Sequence, residues 1–177
     1  MTIITLPALG VDIGGVIIDR NEQPAANDPA DAAYLATPPV RHAMLSLAFL
    51  NRKTRFRNRI HLISRRRNLA DEEGDRAWLA RHAFHDRTGI PPGNVHFCQQ
   101  RHEKASLCTR FAITHAIDDR LEIIASLDDI VPHRILFHPD PKEITRVGVP
   151  LTGIHVVQDW KGVFEVLRTM MPSADRR

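Results

Sequence analysis

The amino-acid sequence alternates between short, continuously apolar runs and longer segments in which apolar residues recur every three or four positions. The short runs predict buried strands, and the longer segments predict helices. The strands are expected at 6–18 (a strand with the loop that follows it), 59–64, 94–98, 114–118, 133–138 and 153–158. The helices are expected at 38–50, 71–88, 102–113, 121–127 and 160–170. Strands and helices in this alternation are typical of an α/β, Rossmann-like fold, a parallel sheet with helices on both faces.

Two segments lack this periodicity and are expected to be loops. Residues 21–39 are rich in Pro, Ala, Asn and Asp, and the segment PDPKE (139–143) follows the fifth strand. No internal repeat and no second apolar pattern is evident. We therefore expect residues 1–172 to form a single domain and residues 173–177 to be a frayed tail.

Composition narrows the class of protein only a little. The 177 residues are 43% apolar and 25% charged, which suits one globular domain. No run approaches the ~18 apolar residues of a membrane span, and the N-terminus lacks the basic region of a signal peptide. Two cysteines make no disulfide framework, so a cytoplasmic location is expected. A net charge of +3 does not by itself indicate nucleic acid as a partner.

Polar residues stand where the predicted strands end. Asp12 ends the first strand, Ser64 ends the second, and Asp118 and Asp119 end the fourth, while Lys104 lies early in the helix before that strand. In a parallel sheet the ligand site lies beyond the carboxyl ends of the strands. The sequence therefore predicts that three carboxylates, one hydroxyl and one ammonium meet at one edge.

Taken singly, these residues also have structural explanations. An acid after a strand can belong to an ordinary turn, Asp119 can cap the following helix, and an isolated lysine on a helix is most often solvated. Their combination is more informative, because close carboxylates repel unless a cation neutralises them. Oxygen ligands of this kind suit Mg²⁺, and the set is that of a phosphoryl-transfer site.

Four motifs in this order resemble those of the haloacid dehalogenase (HAD) superfamily. VDIGGVIID (11–19) resembles the first motif, IHLIS (60–64) the second, and HAIDDR (115–120) the fourth. Lys104 stands 14 residues before the acidic pair, where the third-motif lysine would be. The resemblance spans residues 9–120 and implies an uncapped HAD-like phosphatase.

The resemblance also implies a role for each acidic position. Asp12 would attack phosphorus and form an aspartyl-phosphate. Mg²⁺ would be held by the Asp12 carboxylate, the Gly14 carbonyl and Asp119, with Asp118 beside them.

Substrate contacts are expected from the residues around these acids. The resemblance implies that Ser64 donates a hydrogen bond to a phosphoryl oxygen and that Lys104 balances negative charge there. Gly15 permits close approach of the backbone to a ligand. Arg65 and Arg66 directly follow Ser64 and are expected to reach a phosphate or carboxylate of the substrate.

The sequence departs from the superfamily pattern at one position. Phosphatases of the superfamily usually carry an Asp two residues after the nucleophile as general acid and base, and this chain has Gly14 there. The segments between motifs are also too short for a sizeable cap domain, since 51 residues separate Asp12 from Ser64 and 39 separate Ser64 from Lys104. An open site suits a large substrate or closure by another subunit.

Three functional hypotheses follow. The first is a Mg²⁺-dependent phosphate monoester hydrolase that acts on a phosphorylated small molecule, with a nucleotide suggested because the IDDR sequence resembles 5′-nucleotidase-like members. The second is a catalytically weak domain that binds a phosphorylated ligand or a protein, which Gly14 favours. The third is nucleic-acid end processing, based on eight basic residues in the segment 52–68. The oligomeric state stays open.

Overall fold

The computed structural model of the protein describes residues 6–19 and 32–170. Within them, six strands form one sheet: β1 (Leu9–Val11), β2 (Ile60–Arg65), β3 (Val95–Cys98), β4 (His115–Asp118), β5 (His133–Phe137) and β6 (Ile154–Val157). All pairings are parallel, and the spatial order is β3-β2-β1-β4-β5-β6. The prediction of a parallel α/β sheet is confirmed, and β1 lies near its centre.

Helices connect successive strands. They are α1 (Ala32–Ala36), α2 (Ala43–Lys53), α3 (Leu69–Arg81), α4 (Phe84–Thr88), α5 (Arg101–Arg110), α6 (Leu121–Ser126), α7 (Pro141–Val147) and α8 (Trp160–Met170), with a 3₁₀ turn at Pro92–Asn94. In the described residues only helices, turns and loops separate β1 from β2 and β2 from β3. Residues 20–31 of the first connection lie outside the described residues, so the absence of a sizeable cap domain stays a prediction.

Apolar side chains on the two faces of the sheet form two separate cores. In β5, Ile135 and Phe137 belong to one core and Leu136 to the other, as the alternation of a strand requires. The first core includes Trp78 of α3 and Trp160 of α8, and the second packs against α5 and α6. The prediction of helices on both faces is thus confirmed.

A tight turn follows β1 and fixes the chain beyond its carboxyl end. The amide groups of Ile17 and Ile18 both donate to the Ile13 carbonyl at 2.9 Å, and the Gly15 amide donates to the Ile18 carbonyl at 2.8 Å. The indole of Trp160, at the start of α8, donates to the Val16 carbonyl at 3.0 Å. This turn is therefore held both by its own backbone and by a helix from the far end of the chain.

The structure differs from the sequence prediction at three connections. The single helix expected at 71–88 is broken, because Ala83 has a left-handed backbone (φ 49°) and separates α3 from α4. The loop expected at 139–143 instead starts α7, with Asp140 as its N-cap and Pro141 in its first turn. The loop expected at 21–39 contains α1, while its part up to residue 31 lies outside the described residues, as does the tail 173–177.

None of the described helices is long and apolar enough to cross a membrane. Cys98 and Cys108 are both buried and are free thiols.

The indole contact of Trp160 yields a first prediction. Replacement Trp160→Phe keeps an aromatic ring but leaves the buried Val16 carbonyl without its donor, so the free energy of unfolding should fall by about 1–3 kcal/mol. Urea unfolding followed by far-UV circular dichroism measures this loss. Lys161→Gln, at the exposed neighbouring position, should change it by less than about 0.5 kcal/mol. An unchanged midpoint for Trp160→Phe would show that the contact does not stabilise the turn.

Candidate active site

Three carboxylates converge at the carboxyl ends of β1 and β4. Val11 pairs with Ile117, and the amide of Asp12 continues the ladder by donating to the Ile117 carbonyl at 2.9 Å. Asp12 and Asp118 therefore follow neighbouring strands at the same level. One oxygen each of Asp12, Asp118 and Asp119 lie within 4.8 Å of one another. The structure thus brings the predicted acids together.

Lys104 reaches this cluster from α5. Its Nζ donates to Asp12 Oδ1 at 2.8 Å and to Asp118 Oδ2 at 2.6 Å, and all three side chains are at most 7% exposed. Burial alone would lower the pKa of the ammonium, but the Asp118 and Asp12 carboxylates outweigh it and raise the pKa above its ordinary value. Lys104 is thus held as a cation between the two acids, as the sequence predicts.

The donor set fits Mg²⁺. A hard divalent cation favours carboxylate oxygens, and three of them from Asp12, Asp118 and Asp119 stand close together. Burial also raises the pKa of the Asp118 carboxyl, whereas the contact with Lys104 opposes that rise. Because their oxygens stand this close together, Asp12 and Asp119 are the residues that would hold the ion.

Gly15 is required where Asp119 approaches the turn after β1. Its φ is +80°, a backbone conformation that residues other than glycine rarely adopt. A Cβ atom at this position would overlap the Asp119 carboxylate. Gly15 therefore allows the backbone of the turn to lie directly against Asp119, a candidate metal ligand. The sequence predicted a close approach of this backbone to a ligand, without naming Asp119.

Ser64 lies on the neighbouring strand at the same edge. The register pairs Val11 with Leu62, so Ser64 stands two residues beyond that pair and Asp12 one residue beyond it. The side chain is fully buried, and its hydroxyl has no hydrogen-bond partner in the part of the chain that the structure describes. Buried hydroxyl groups in proteins are normally hydrogen-bonded, so this one favours a polar ligand at this edge of the sheet.

The two arginines after Ser64 have different surroundings. Arg65 is exposed. Arg66 donates to Asp75 of α3 through Nε at 2.6 Å and through Nη2 at 2.9 Å, and Asp75 also accepts from the Tyr34 hydroxyl. This bidentate ion pair holds the Arg66 guanidinium at the end of β2. Contact of Arg65 or Arg66 with a substrate stays a prediction.

The Arg66–Asp75–Tyr34 network was not predicted. Asp75 lies within α3, Tyr34 lies within α1, and no spacing in the sequence relates either residue to Arg66. The packing of α1 against α3 brings Tyr34 to Asp75. The network ties the segment before α2 to the edge that carries Ser64.

An open cleft of about 720 Å³ begins at Gly15 and Asp119 and extends over the carboxyl ends of β5 and β6. Its lining also includes Asp19, Val40, Arg41, Arg120, Phe137, His138, Pro139, Asp140, Pro141, Lys142, Glu143, Arg146, Gln158 and Asp159. Apart from Gly15, Asp119 and Asp19, the sequence assigned none of these residues to the site; Asp19, or a histidine from a loop, is the alternative source of the proton that Gly14 cannot supply. His138 and Gln158 directly follow strands, so the strand-end rule that found Asp12 would also have found them.

The basic segment 52–68 does not form one continuous surface around the site. Arg52 and Lys53 end α2, where the Arg52 guanidinium donates to the Asp86 and Arg87 carbonyls. Arg59 precedes β2 and Arg66 follows it, so roughly 20 Å of strand separates them. The segment therefore divides between opposite ends of the sheet.

The sequence itself matches no family model and no curated protein. Two solved structures share the fold. The D,D-heptose 1,7-bisphosphate phosphatase from B. bronchiseptica, complexed with magnesium and phosphate, is 15% identical, covers 93% of this chain and 99% of its own, and gives a TM-score of 0.68. The corresponding phosphatase from Burkholderia thailandensis is 16% identical, covers 93% and 98%, and gives a TM-score of 0.56. These likenesses show a shared fold, and membership of the HAD superfamily stays a prediction.

The contact between Gly15 and Asp119 yields a second prediction. Gly15→Ala places a Cβ against the Asp119 carboxylate and should displace it from the cluster. Because a ligand that binds only the folded state raises its stability, Mg²⁺ should raise the melting temperature of the unmodified protein and have little effect on Gly15→Ala.

Gly93→Ala is the matched control, since a Cβ at Gly93 meets nothing within 4 Å. It should retain the full Mg²⁺-dependent shift. A shift of equal size in Gly15→Ala would contradict the assignment of Asp119 as a metal ligand.

Proposed function

We propose that the protein is a Mg²⁺-dependent phosphate monoester hydrolase that works through an aspartyl-phosphate on Asp12. The observation that carries this proposal is the buried Lys104 bridging Asp12 and Asp118 inside a three-carboxylate cluster. Such a cluster at the carboxyl end of a parallel sheet supplies a nucleophile, oxygen ligands for a metal and a fixed cation. The shared fold with two phosphatases is consistent with it.

Asp12 is the group that would attack phosphorus. Its Oδ1 accepts from Lys104 at 2.8 Å, which fixes the carboxylate, and one carboxylate oxygen bonds to phosphorus in this proposal. The P–O bond to the substrate oxygen then breaks, and the departing alkoxide takes its proton from solvent water. Water next attacks phosphorus of the aspartyl-phosphate, releasing inorganic phosphate and restoring the Asp12 carboxylate.

Charge stabilisation comes from fixed groups around that carboxylate. Mg²⁺ bound by Asp12, Asp119 and the Gly14 carbonyl would neutralise charge on the phosphoryl oxygens. Lys104 is already desolvated and charged, so little reorganisation is needed when negative charge develops beside it. Ser64 would donate its buried hydroxyl to a phosphoryl oxygen, and Asp118 keeps Lys104 in place.

Proton transfer is the step of the reaction for which this site offers the least assistance. Gly14 has no group that can protonate the leaving alcohol or activate water, and general acid–base assistance is worth roughly 10²- to 10⁴-fold. We therefore expect a slow hydrolase, with a catalytically weak phosphate-binding domain as the second candidate.

A 5′-nucleotide and a 3′-phosphorylated oligonucleotide belong in the substrate panel, because both were suggested by the sequence.

The proposal predicts that hydrolysis depends on Asp12 and on Mg²⁺. Phosphate release should fall by about 10³-fold or more in Asp12→Asn, since the amide cannot attack phosphorus. It should also be abolished by EDTA and restored by Mg²⁺.

Asp86→Asn, an exposed acid on α4, is the matched control and should retain full activity. Activity that survives Asp12→Asn would exclude the aspartyl-phosphate route. Binding of inorganic phosphate without turnover of any ester would favour the second candidate.

The missing acid–base group predicts a gain of function. Gly14→Asp should raise kcat by about tenfold or more, because it introduces a proton-transfer group two residues after the nucleophile. Gly14→Asn is nearly the same size but cannot exchange a proton, so it should give no gain. Steady-state kinetics with one phosphate ester compares the variants. Equal kcat values for Asp and Asn would show that the proton is supplied elsewhere.

A further inference from the structure

The ion pair between Arg66 and Asp75 lies on one face of the sheet, and Lys104 approaches from the other. Leu62 belongs to the core that includes residues of α3, and Arg66 stands four residues later on the same face, because side chains alternate along a strand. The Arg66 amide continues the pairing of β2 with β3 by donating to the Cys98 carbonyl at 2.8 Å. α5, which carries Lys104, packs against the opposite core. The carboxyl edge of the sheet therefore receives one largely buried cation from each face.

Asp75 occupies one side of the Arg66 guanidinium and leaves donors on the other side. Nε and Nη2 of Arg66 donate to the two Asp75 oxygens, whereas Nη1 has no hydrogen-bond partner in the part of the chain that the structure describes. A guanidinium has five N–H donors, so three remain for a ligand. The Arg66 side chain is still 15% exposed, against 0% for Asp75. A ligand at this edge can therefore reach the arginine but not the carboxylate that orients it.

The charges of this ion pair act on Asp12. Burial alone would lower the pKa of the Arg66 guanidinium, but the Asp75 carboxylate raises it, and the Asp12 carboxylate adds to the rise. Burial raises the pKa of the Asp75 carboxyl, and Asp12 adds to that rise as well. Because the interaction between charges falls with distance, both members of the pair lie close enough to the proposed nucleophile to share one electrostatic environment with it.

Stability alone does not explain an ion pair at this position. Taking two charges out of water is costly, and replacing a buried ion pair by apolar residues of similar size is often neutral or stabilising. The surroundings would suit such residues, since Trp78 and Leu79 on the same helix are buried in the apolar core. Ser64, on the same strand as Arg66, has a buried hydroxyl without a partner among residues 6–19 and 32–170. The remaining donors of Arg66 and Ser64 therefore point to a shared ligand.

A phosphoryl group suits both donors. Guanidinium N–H groups form strong, charge-assisted hydrogen bonds to phosphate oxygens, and Ser64 can donate to another oxygen of the same group. Asp75 already balances the charge of Arg66, so the arginine contributes directed hydrogen bonds more than net charge. Neither contact involves the part of an ester beyond its phosphoryl group. Inorganic phosphate is therefore a sufficient probe.

We propose that Arg66 binds the phosphoryl group of the substrate and that Asp75 and Tyr34 are its positioning residues. Asp75 orients the guanidinium through two hydrogen bonds, and the Tyr34 hydroxyl donates to one of the same carboxylate oxygens and so holds Asp75 in place. The remaining N–H groups of Arg66 donate to a phosphoryl oxygen. This inference rests on the proposed function, since it assumes that the phosphoryl group lies at Asp12.

An apolar replacement of the whole network separates binding from folding. The triple variant Tyr34→Phe/Arg66→Met/Asp75→Leu removes the three polar groups together and leaves no unpaired charge, so its melting temperature should stay close to that of the unmodified protein. Its affinity for inorganic phosphate in the presence of Mg²⁺, measured by calorimetry, should fall by about tenfold or more, because charge-assisted hydrogen bonds are lost. A folded triple variant with unchanged phosphate affinity would overturn the proposal.

Two single substitutions test the positioning role and do not depend on the triple variant. Arg66→Lys keeps a cation beside Asp75, but one ammonium cannot reproduce the bidentate geometry while it also donates to phosphate. Asp75→Asn keeps the size of the side chain, but its amide accepts only one of the two N–H groups. Each should weaken phosphate binding by about tenfold and raise KM for an ester more than it lowers kcat. Unchanged phosphate affinity in both would contradict the proposal.

Asp128→Asn is the matched control. It makes the same substitution in another arginine–aspartate ion pair, that of Asp128 with Arg134, which lies at the amino end of β5 and thus at the opposite end of the sheet. Phosphate affinity and both kinetic constants should be unchanged. A loss of phosphate affinity equal to that of Asp75→Asn would show that the effect is not specific to the network, and would overturn the positioning role.

Binding and turnover together separate this proposal from failure of the proposed function. Phosphate affinity that depends on the network, with no turnover of any ester by the unmodified protein, would refute the hydrolase and support the role of Arg66. Turnover and phosphate affinity that are unaffected in the network variants would support the hydrolase and refute the role of Arg66. Absence of phosphate binding and of turnover in the unmodified protein would refute both.

Discussion

The buried ammonium of Lys104 is the contact on which the carboxyl edge of the sheet depends. It joins α5 to β1 and β4 through contacts of 2.8 and 2.6 Å with Asp12 and Asp118. Transferring these charges from water is costly, and their mutual attraction offsets that cost only while all three are present. Removing one partner of such a buried pair typically costs about 3–5 kcal/mol. The residues proposed to carry the chemistry therefore also stabilise the fold, and loss of activity in a Lys104 variant would not by itself identify a catalytic role.

The rest of the site is arranged around that pairing. β1 has only three residues, so the position of Asp12 depends on the ladder with β4 and on the turn that follows. The turn is fixed by hydrogen bonds to the Ile13 carbonyl and by the indole of Trp160. Gly15 then lets Asp119 lie against the turn. A core residue on the last helix thus limits how far Asp12 and Asp119 can move apart.

The sequence was sufficient for the features that depend on local pattern. Six apolar runs located the strands, and polar residues at their ends located Asp12, Ser64 and the acidic pair, because parallel strands all finish at one edge. α7 was missed because Pro139 and Pro141 indicated a loop, although Asp140 and Pro141 form an ordinary helix start. The Arg66–Asp75 ion pair and the residues that line the cleft were missed for other reasons. Asp75 is only nine residues after Arg66, but no periodicity in the sequence marks the pair. The residues of the cleft wall come from elements that are distant in the sequence, and only tertiary packing brings them together.

Phosphatases usually combine two contributions to catalysis, stabilisation of charge and transfer of a proton. Gly14 lacks the group that would supply the second. Lys104 and the carboxylate cluster can stabilise charge without any proton transfer, whereas a leaving alcohol still needs a proton. With no acid at position 14, the barrier can be lowered by binding energy from the non-reacting end of the substrate, which orients the ester without taking part in the reaction. The cleft beyond Asp119 lies next to the carboxylate cluster and is lined by charged side chains of both signs, so substrate contacts made there would contribute to both selectivity and rate.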